Sequence, residues 1–93
     1  MTLNEYQNCQ RSDKLYFARI MPKFGYYEIH DVVVVQAYKD HILVCETKTK
    51  QSFIFNVKEN GVEPLFFDRD EALNYLKQKK KENKNVKKYV TEE

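Results

Sequence analysis

From Leu15 onward the chain alternates apolar and polar positions with a period of two, and at Asp68 that period gives way to a helical one. Leu15 to Met21 places Leu15, Phe17 and Met21 on one face and Tyr16, Ala18 and Ile20 on the other, as a strand does. Pro22-Lys23-Phe24-Gly25 reads as a turn: proline presets φ, and glycine accepts a positive one. Tyr26 to Tyr38 is a long β-prone run, with a bend or bulge expected at His30-Asp31. After Lys39-Asp40 a third strand is expected over His41 to Thr47, and after Lys48-Thr49-Lys50 a fourth over Gln51 to Lys58, where Phe53, Phe55 and Val57 alternate strictly. Glu59-Asn60-Gly61 turns into a last short strand, Val62 to Phe67, which Pro64 confines to an edge or a bulge.

The helix begins at Asp68, an N-cap residue with Glu71 three positions on, close to a capping box. Ala72, Leu73, Tyr75 and Leu76 form its apolar stripe, and beyond Leu76 the chain is lysine-rich. Residues 1–13 are polar without a period and read as a flexible lead-in or a short turn of helix. The expected fold is α+β: a small, bent antiparallel sheet of about five strands followed by one C-terminal helix. An SH3-like or partly open barrel is the first form, a flat sheet with the helix across one face the second. The domain spans 14–82, with a charged tail over 83–93.

Ninety-three residues make one domain, and 13 aromatic residues (seven Tyr, six Phe) must supply much of its core. Cys9 lies in the polar lead-in and Cys45 in the run Ile42-Leu43-Val44-Cys45, so the first is expected to face solvent and the second to be a buried thiol. Neither has a zinc-ligand spacing. Nothing resembles a signal peptide or a membrane span, so a soluble protein of a reducing cytoplasm is expected.

Charge divides the chain unevenly. Residues 1–76 hold nine Lys/Arg against eleven Asp/Glu, whereas Lys77 to Lys88 holds seven lysines against Glu82 alone. Lysines that reach phosphates release counterions, so Lys77, Lys79, Lys80, Lys81 and Lys84 are candidate nucleic-acid or acidic-surface contacts. The run has no arginine, and its only ring is Tyr89, which argues for a solvated helix end at the negative pole of the dipole.

A protein-binding site is the stronger candidate. Tyr16, Arg19, Tyr26, Tyr27 and Glu28 cluster around the first hairpin, and tyrosine and arginine anchor interfaces by joining large contact area to hydrogen bonding. Tyr26 and Tyr27 are neighbours on a strand, so one should be core and the other exposed. His30-Asp31 and His41/Cys45 are poor catalytic pairs, since strand geometry keeps each pair apart. Asp68, Asp70 and Glu71 serve capping better than metal binding. With glycine only at Gly25 and Gly61, no glycine-rich phosphate loop can form, and no cofactor is expected.

The segments Tyr16-Phe17-Ala18-Arg19-Ile20-Met21-Pro22, Gly25-Tyr26-Tyr27-Glu28-Ile29 and Phe66-Phe67-Asp68-Arg69-Asp70-Glu71-Ala72-Leu73 resemble short accessory proteins of Firmicutes phages and prophages. The resemblance spans about residues 15–77 and brings no functional residues across. It implies a context in which a small protein counters a host system, as anti-CRISPR proteins do. The expected function is therefore non-enzymatic: occupation of a host protein or ribonucleoprotein complex in the bacterial cytoplasm. The alternative is a nucleic-acid-binding module built on the lysine-rich helix, and an exposed sheet edge leaves a homodimer open.

Overall fold

The computed structural model describes residues 1–84. Helix α1 (Leu3–Gln7) precedes strands β1 (Lys14–Met21), β2 (Tyr26–Ala37), β3 (His41–Glu46), β4 (Ser52–Asn56) and β5 (Leu65–Phe66), and helix α2 (Arg69–Glu82) follows. The sheet is antiparallel and open, in the order β4-β3-β2-β1-β5, so β1 to β4 form a meander and β5 returns beside β1. This is the expected α+β architecture. Of the charged tail, residues 85–93, including Tyr89, lie outside the described residues.

The sheet is strongly curled. In a flat sheet β1 and β4, three places apart, would be separated by roughly 14 Å. Yet the Phe17 ring of β1 meets Phe55 and Phe53 of β4 edge-on, with centroids 4.8 and 5.1 Å apart. The concave side holds the main core: Leu15, Phe17, Val32, Val34, Ile42, Val44 and Leu65, with Phe53 and Phe55 packed against them. Helix α2 packs on β1, β2 and β5 from the other side, burying Ala72 and Leu76.

Several boundaries differ from expectation for physical reasons. The irregularity in β2 falls between Val34 and Gln36, not at His30-Asp31. His30 and Asp31 pair in unbroken register with Phe17 and Tyr16, which leaves no room for a bulge there. The last strand shrinks to Leu65–Phe66. Pro64 has no N–H to give, and its carbonyl accepts from Ala18 N–H at 2.9 Å. Val62 instead pairs with the start of the chain, its N–H donating to Met1 C=O at 2.9 Å.

Residues 1–13 contain the short helical turn and are packed into the domain. Thr2 and Glu5 form a reciprocal capping box at α1, with bonds of 3.1 and 2.8 Å. At α2, Asp68 accepts from Asp70 N–H at 3.1 Å. Met1 and Tyr6 are both buried in the core, and the Tyr6 hydroxyl lies between the carbonyls of Tyr38 and His41. Cys9 also packs against the core instead of facing solvent, and burial, followed by Asp13, pushes its thiol up to about 11. Both cysteines are free.

Tyr75 joins α2 to β5 by packing on Phe66, centroid to centroid 5.2 Å. Burial, then hydrogen bonding to Glu63, raises its phenol from 10.0 to about 12. A raised pKa stabilises the folded state below pH 10, and that contribution is lost as pH rises through the folded value. Stability should therefore fall between pH 10 and about 12. Tyr75→Phe should flatten that part of the denaturation profile and remove the late-titrating tyrosinate absorbance.

Candidate functional site

Strand β2 is twice the length of β3, 12 residues against six, and the excess creates the most distinctive surface of the molecule. β1 pairs with β2 along its full length, from Lys14↔Val33 to Met21↔Tyr26. β3 stops at Glu46↔Val32, where the chain turns away through Thr47–Lys50, and Thr47 N–H makes the final bond, to Asp31 C=O at 3.0 Å. Among the described residues, 26–30 thus have a strand on one side and none on the other.

Backbone alternation says which groups face the open side. Asp31 C=O points toward β3, and Ala18 N–H, opposite Ile29, points away toward Pro64. Residues two apart share an orientation, so the N–H and C=O groups of Tyr27 and Ile29 face outward. They open into a cleft of about 400 Å³, walled by Thr47 and Lys48 on one flank and by Arg69, Leu73 and Leu76 of α2 on the other.

The concave side of the same edge carries a chain of polar contacts. The Tyr26 hydroxyl meets His30 Nε2 at 2.9 Å, and His30 Nδ1 lies 3.2 Å from the Glu46 carboxylate, which is only 7% exposed. The phenol has one proton: donated to Nε2 it leaves Nδ1–H facing Glu46, and donated to Glu28 it leaves the phenol oxygen accepting from Nε2–H. The order hydroxyl, imidazole, carboxylate has the form of an acid–base relay. However, hydrogen bonding to Glu28, then burial, raises the Tyr26 phenol above its ordinary value. The shift favours the neutral, hydrogen-bonding form of the side chain. Arg19 completes the group, its guanidinium 5.7 Å from the Tyr26 ring and 5.4 Å from that of Phe53.

The five residues expected to bind protein do not form one patch. Arg19, Tyr26 and Glu28 share the concave side with Phe17, whereas Tyr16 and Tyr27 lie on the helix side. Tyr26 and Tyr27 do point to opposite faces, but neither is core and neither is fully exposed; both are half-buried. Tyr26 stacks on His30 at 6.2 Å, and Lys80 lies over Tyr27 at 6.0 Å. Tyr16 is set in β1 between Asp31 and Phe66. Tyr26, Tyr27 and Glu28 lie together along the open edge.

The lysines divide likewise. Lys79 is held by Glu63 at 3.7 Å and Glu82 at 3.5 Å and lies over Tyr75. Lys77, Lys81 and Lys84 are exposed, as is Lys80. His30 and Asp31 point to opposite faces, while His41 pairs with the exposed Asp40 at 2.7 Å. Among the described residues no three His, Cys, Asp or Glu side chains gather as a metal site, and no helix is long and apolar enough to cross a membrane.

Ile29, His30, Glu46 and Leu73 are site residues that sequence reasoning did not select. The spacing 26, 28, 30 was a usable signal, since it places three side chains on one strand face. Glu46 had none, because its position opposite Val32 depends on cross-strand register. No family model, no curated protein and no solved structure matches this chain.

Proposed function

We propose that this chain is a small, non-enzymatic binding protein, carried by a phage or prophage, that occupies a host macromolecular complex in the bacterial cytoplasm and so blocks a defence system. The observation that carries the binding reading is the open β2 edge beside the α2 cleft, with Tyr26, Tyr27, Glu28 and the ring-stacked Arg19 around it. These residue types supply large contact area and hydrogen bonds together.

Affinity capture from host lysate, with and without nuclease, tests this reading. A stoichiometric protein that survives nuclease is the expected result. The folded double variant Tyr26→Ala/Tyr27→Ala should bind that protein at least ~30-fold more weakly, with no change in salt dependence. Normal binding by the folded variant would rule out the edge as the contact.

A second reading is favoured by one observation: Lys77, Lys80 and Lys81 lie on one face of α2, and Lys84 follows just past its end. In that case the captured material disappears on nuclease treatment. Replacing Lys77, Lys81 and Lys84 with glutamine should then lower the salt slope by ~0.9 for each phosphate no longer neutralised.

A further inference from the structure

We infer that the open edge of β2 takes up an extended segment of the partner protein as an added antiparallel strand, with a lysine or arginine opposite Glu28 and apolar side chains opposite Tyr27 and Ile29. The inference rests on the reading that the partner is a protein, and adds how it is held and what its segment contains.

Three observations carry it. The open stretch Tyr26–His30 is five residues long, roughly 16 Å, the length of an ordinary strand. Within it, the main-chain groups of Tyr27 and Ile29 face a cleft and not a neighbouring strand. Outward N–H and C=O groups on a rigid strand are the donor and acceptor row that strand addition uses, with pockets for alternate side chains setting specificity.

The side chains around the edge then describe the incoming strand. On the helix side, Tyr27 and Ile29 stand beside Leu73 and Leu76, which give an apolar residue pointing that way a surface to pack on, within a cleft that Arg69, Thr47 and Lys48 also line. On the concave side, Glu28 and Glu46 border the cleft with His30, and Glu28 is exposed. A strand centred on Glu28 presents its middle side chain to that carboxylate, which has Arg19 opposite it on β1 and favours a cation over an anion on the incoming strand.

The same register argues against a second copy of the chain as the occupant. Thr47 blocks the edge at Asp31, so a symmetric pair using the whole open stretch is centred on residue 28. Tyr27 would then bond with Ile29 of the other copy, and the two Glu28 side chains would meet at a non-hydrogen-bonded position. Strands bring side chains closest at such positions, and like charges directly opposite each other there are unfavourable.

The probes are three capped peptides: Thr-Val-Lys-Val-Thr, Thr-Val-Glu-Val-Thr, and the lysine peptide N-methylated at both valines. Amide hydrogen exchange of the full chain is followed by NMR at millimolar peptide. The lysine peptide should slow exchange at Tyr27 and Ile29 by about tenfold, while the glutamate and N-methylated peptides leave both unchanged. Glu28→Lys, an exposed-site change whose fold is checked by its amide spectrum because residue 28 faces Arg19 on β1, should exchange the preferences of the two charged peptides. Unprotected Tyr27 and Ile29 amides with the lysine peptide would overturn the inference, as would equal protection by both charged peptides or protection confined to β4. So would a dimer of the free chain in which those amides are already protected. A nuclease-resistant protein captured from lysate alongside unprotected amides would refute the added strand and leave the binding reading standing. Protected amides with capture abolished by nuclease would refute the binding reading instead.

Discussion

Gly61→Ala should destabilise the protein by about 3–5 kcal/mol, the upper range for a single substitution. Gly61 has φ +105°, a conformation that side chains rarely adopt. A Cβ there would lie 2.2 Å from Met1 O, 2.5 Å from Thr2 C and 2.7 Å from Leu3 N. All three are backbone atoms, so no rotamer change relieves the clash. The start of the chain must move, which breaks the Val62 N–H to Met1 C=O bond and draws Met1 and Tyr6 off the core. Gly25 provides the contrast. It also has positive φ, at 66°, but is exposed, so Gly25→Ala should cost only about 1–2 kcal/mol of left-handed strain. Urea denaturation of the two variants checks the prediction, and equal losses would show that the close packing against residues 1–3 is not what requires glycine at 61.

Phe17→Ala should cost a similar amount, about 3–5 kcal/mol. The Phe17 ring is the bridge across the curl, touching Phe53 and Phe55 from the opposite end of the meander. Truncation removes buried ring surface and leaves a void that adjacent strands cannot close without changing the sheet's curvature. Phe67, 37% exposed in the link before α2, is the control: Phe67→Ala should stay within about 0.5 kcal/mol. A Phe17→Ala loss as small as the Phe67→Ala one would mean that the curl is held elsewhere.

The strands and α2 were legible because each is local. The alternation through Leu15–Met21 and Phe53–Val57 sorts side chains onto two faces whatever the rest of the chain does, and Asp68 marks a helix start by its own bond to Asp70 N–H. The faces assigned to Leu15 and Phe17, and to Tyr16 and Ala18, agree with the register of β1 against β2. What misled was treating polarity as position. Residues 1–13 look like a lead-in because most of them are polar, yet Met1, Tyr6 and Cys9 suffice to pack the segment against the core. Val62 looks like strand, but its partner is Met1, 61 residues earlier, a pairing no local window contains.

The site shows the same division more sharply. Residue types suitable for an interface are local information, and Tyr26, Tyr27 and Glu28 could be chosen from the hairpin alone. That they border an open edge depends on two lengths at once: β1 accompanies β2 to Tyr26, and β3 abandons it at Val32. The joining of His30 to Glu46 and the placing of Leu73 and Leu76 beside Ile29 depend on register and on which face α2 covers. Period and capping arise from neighbours a few residues apart, so the chain carries them wherever it goes. Register, the curl and the free edge arise from contacts between segments distant along the chain, and they exist only once the sheet has curled around Phe17 and the helix has chosen its side.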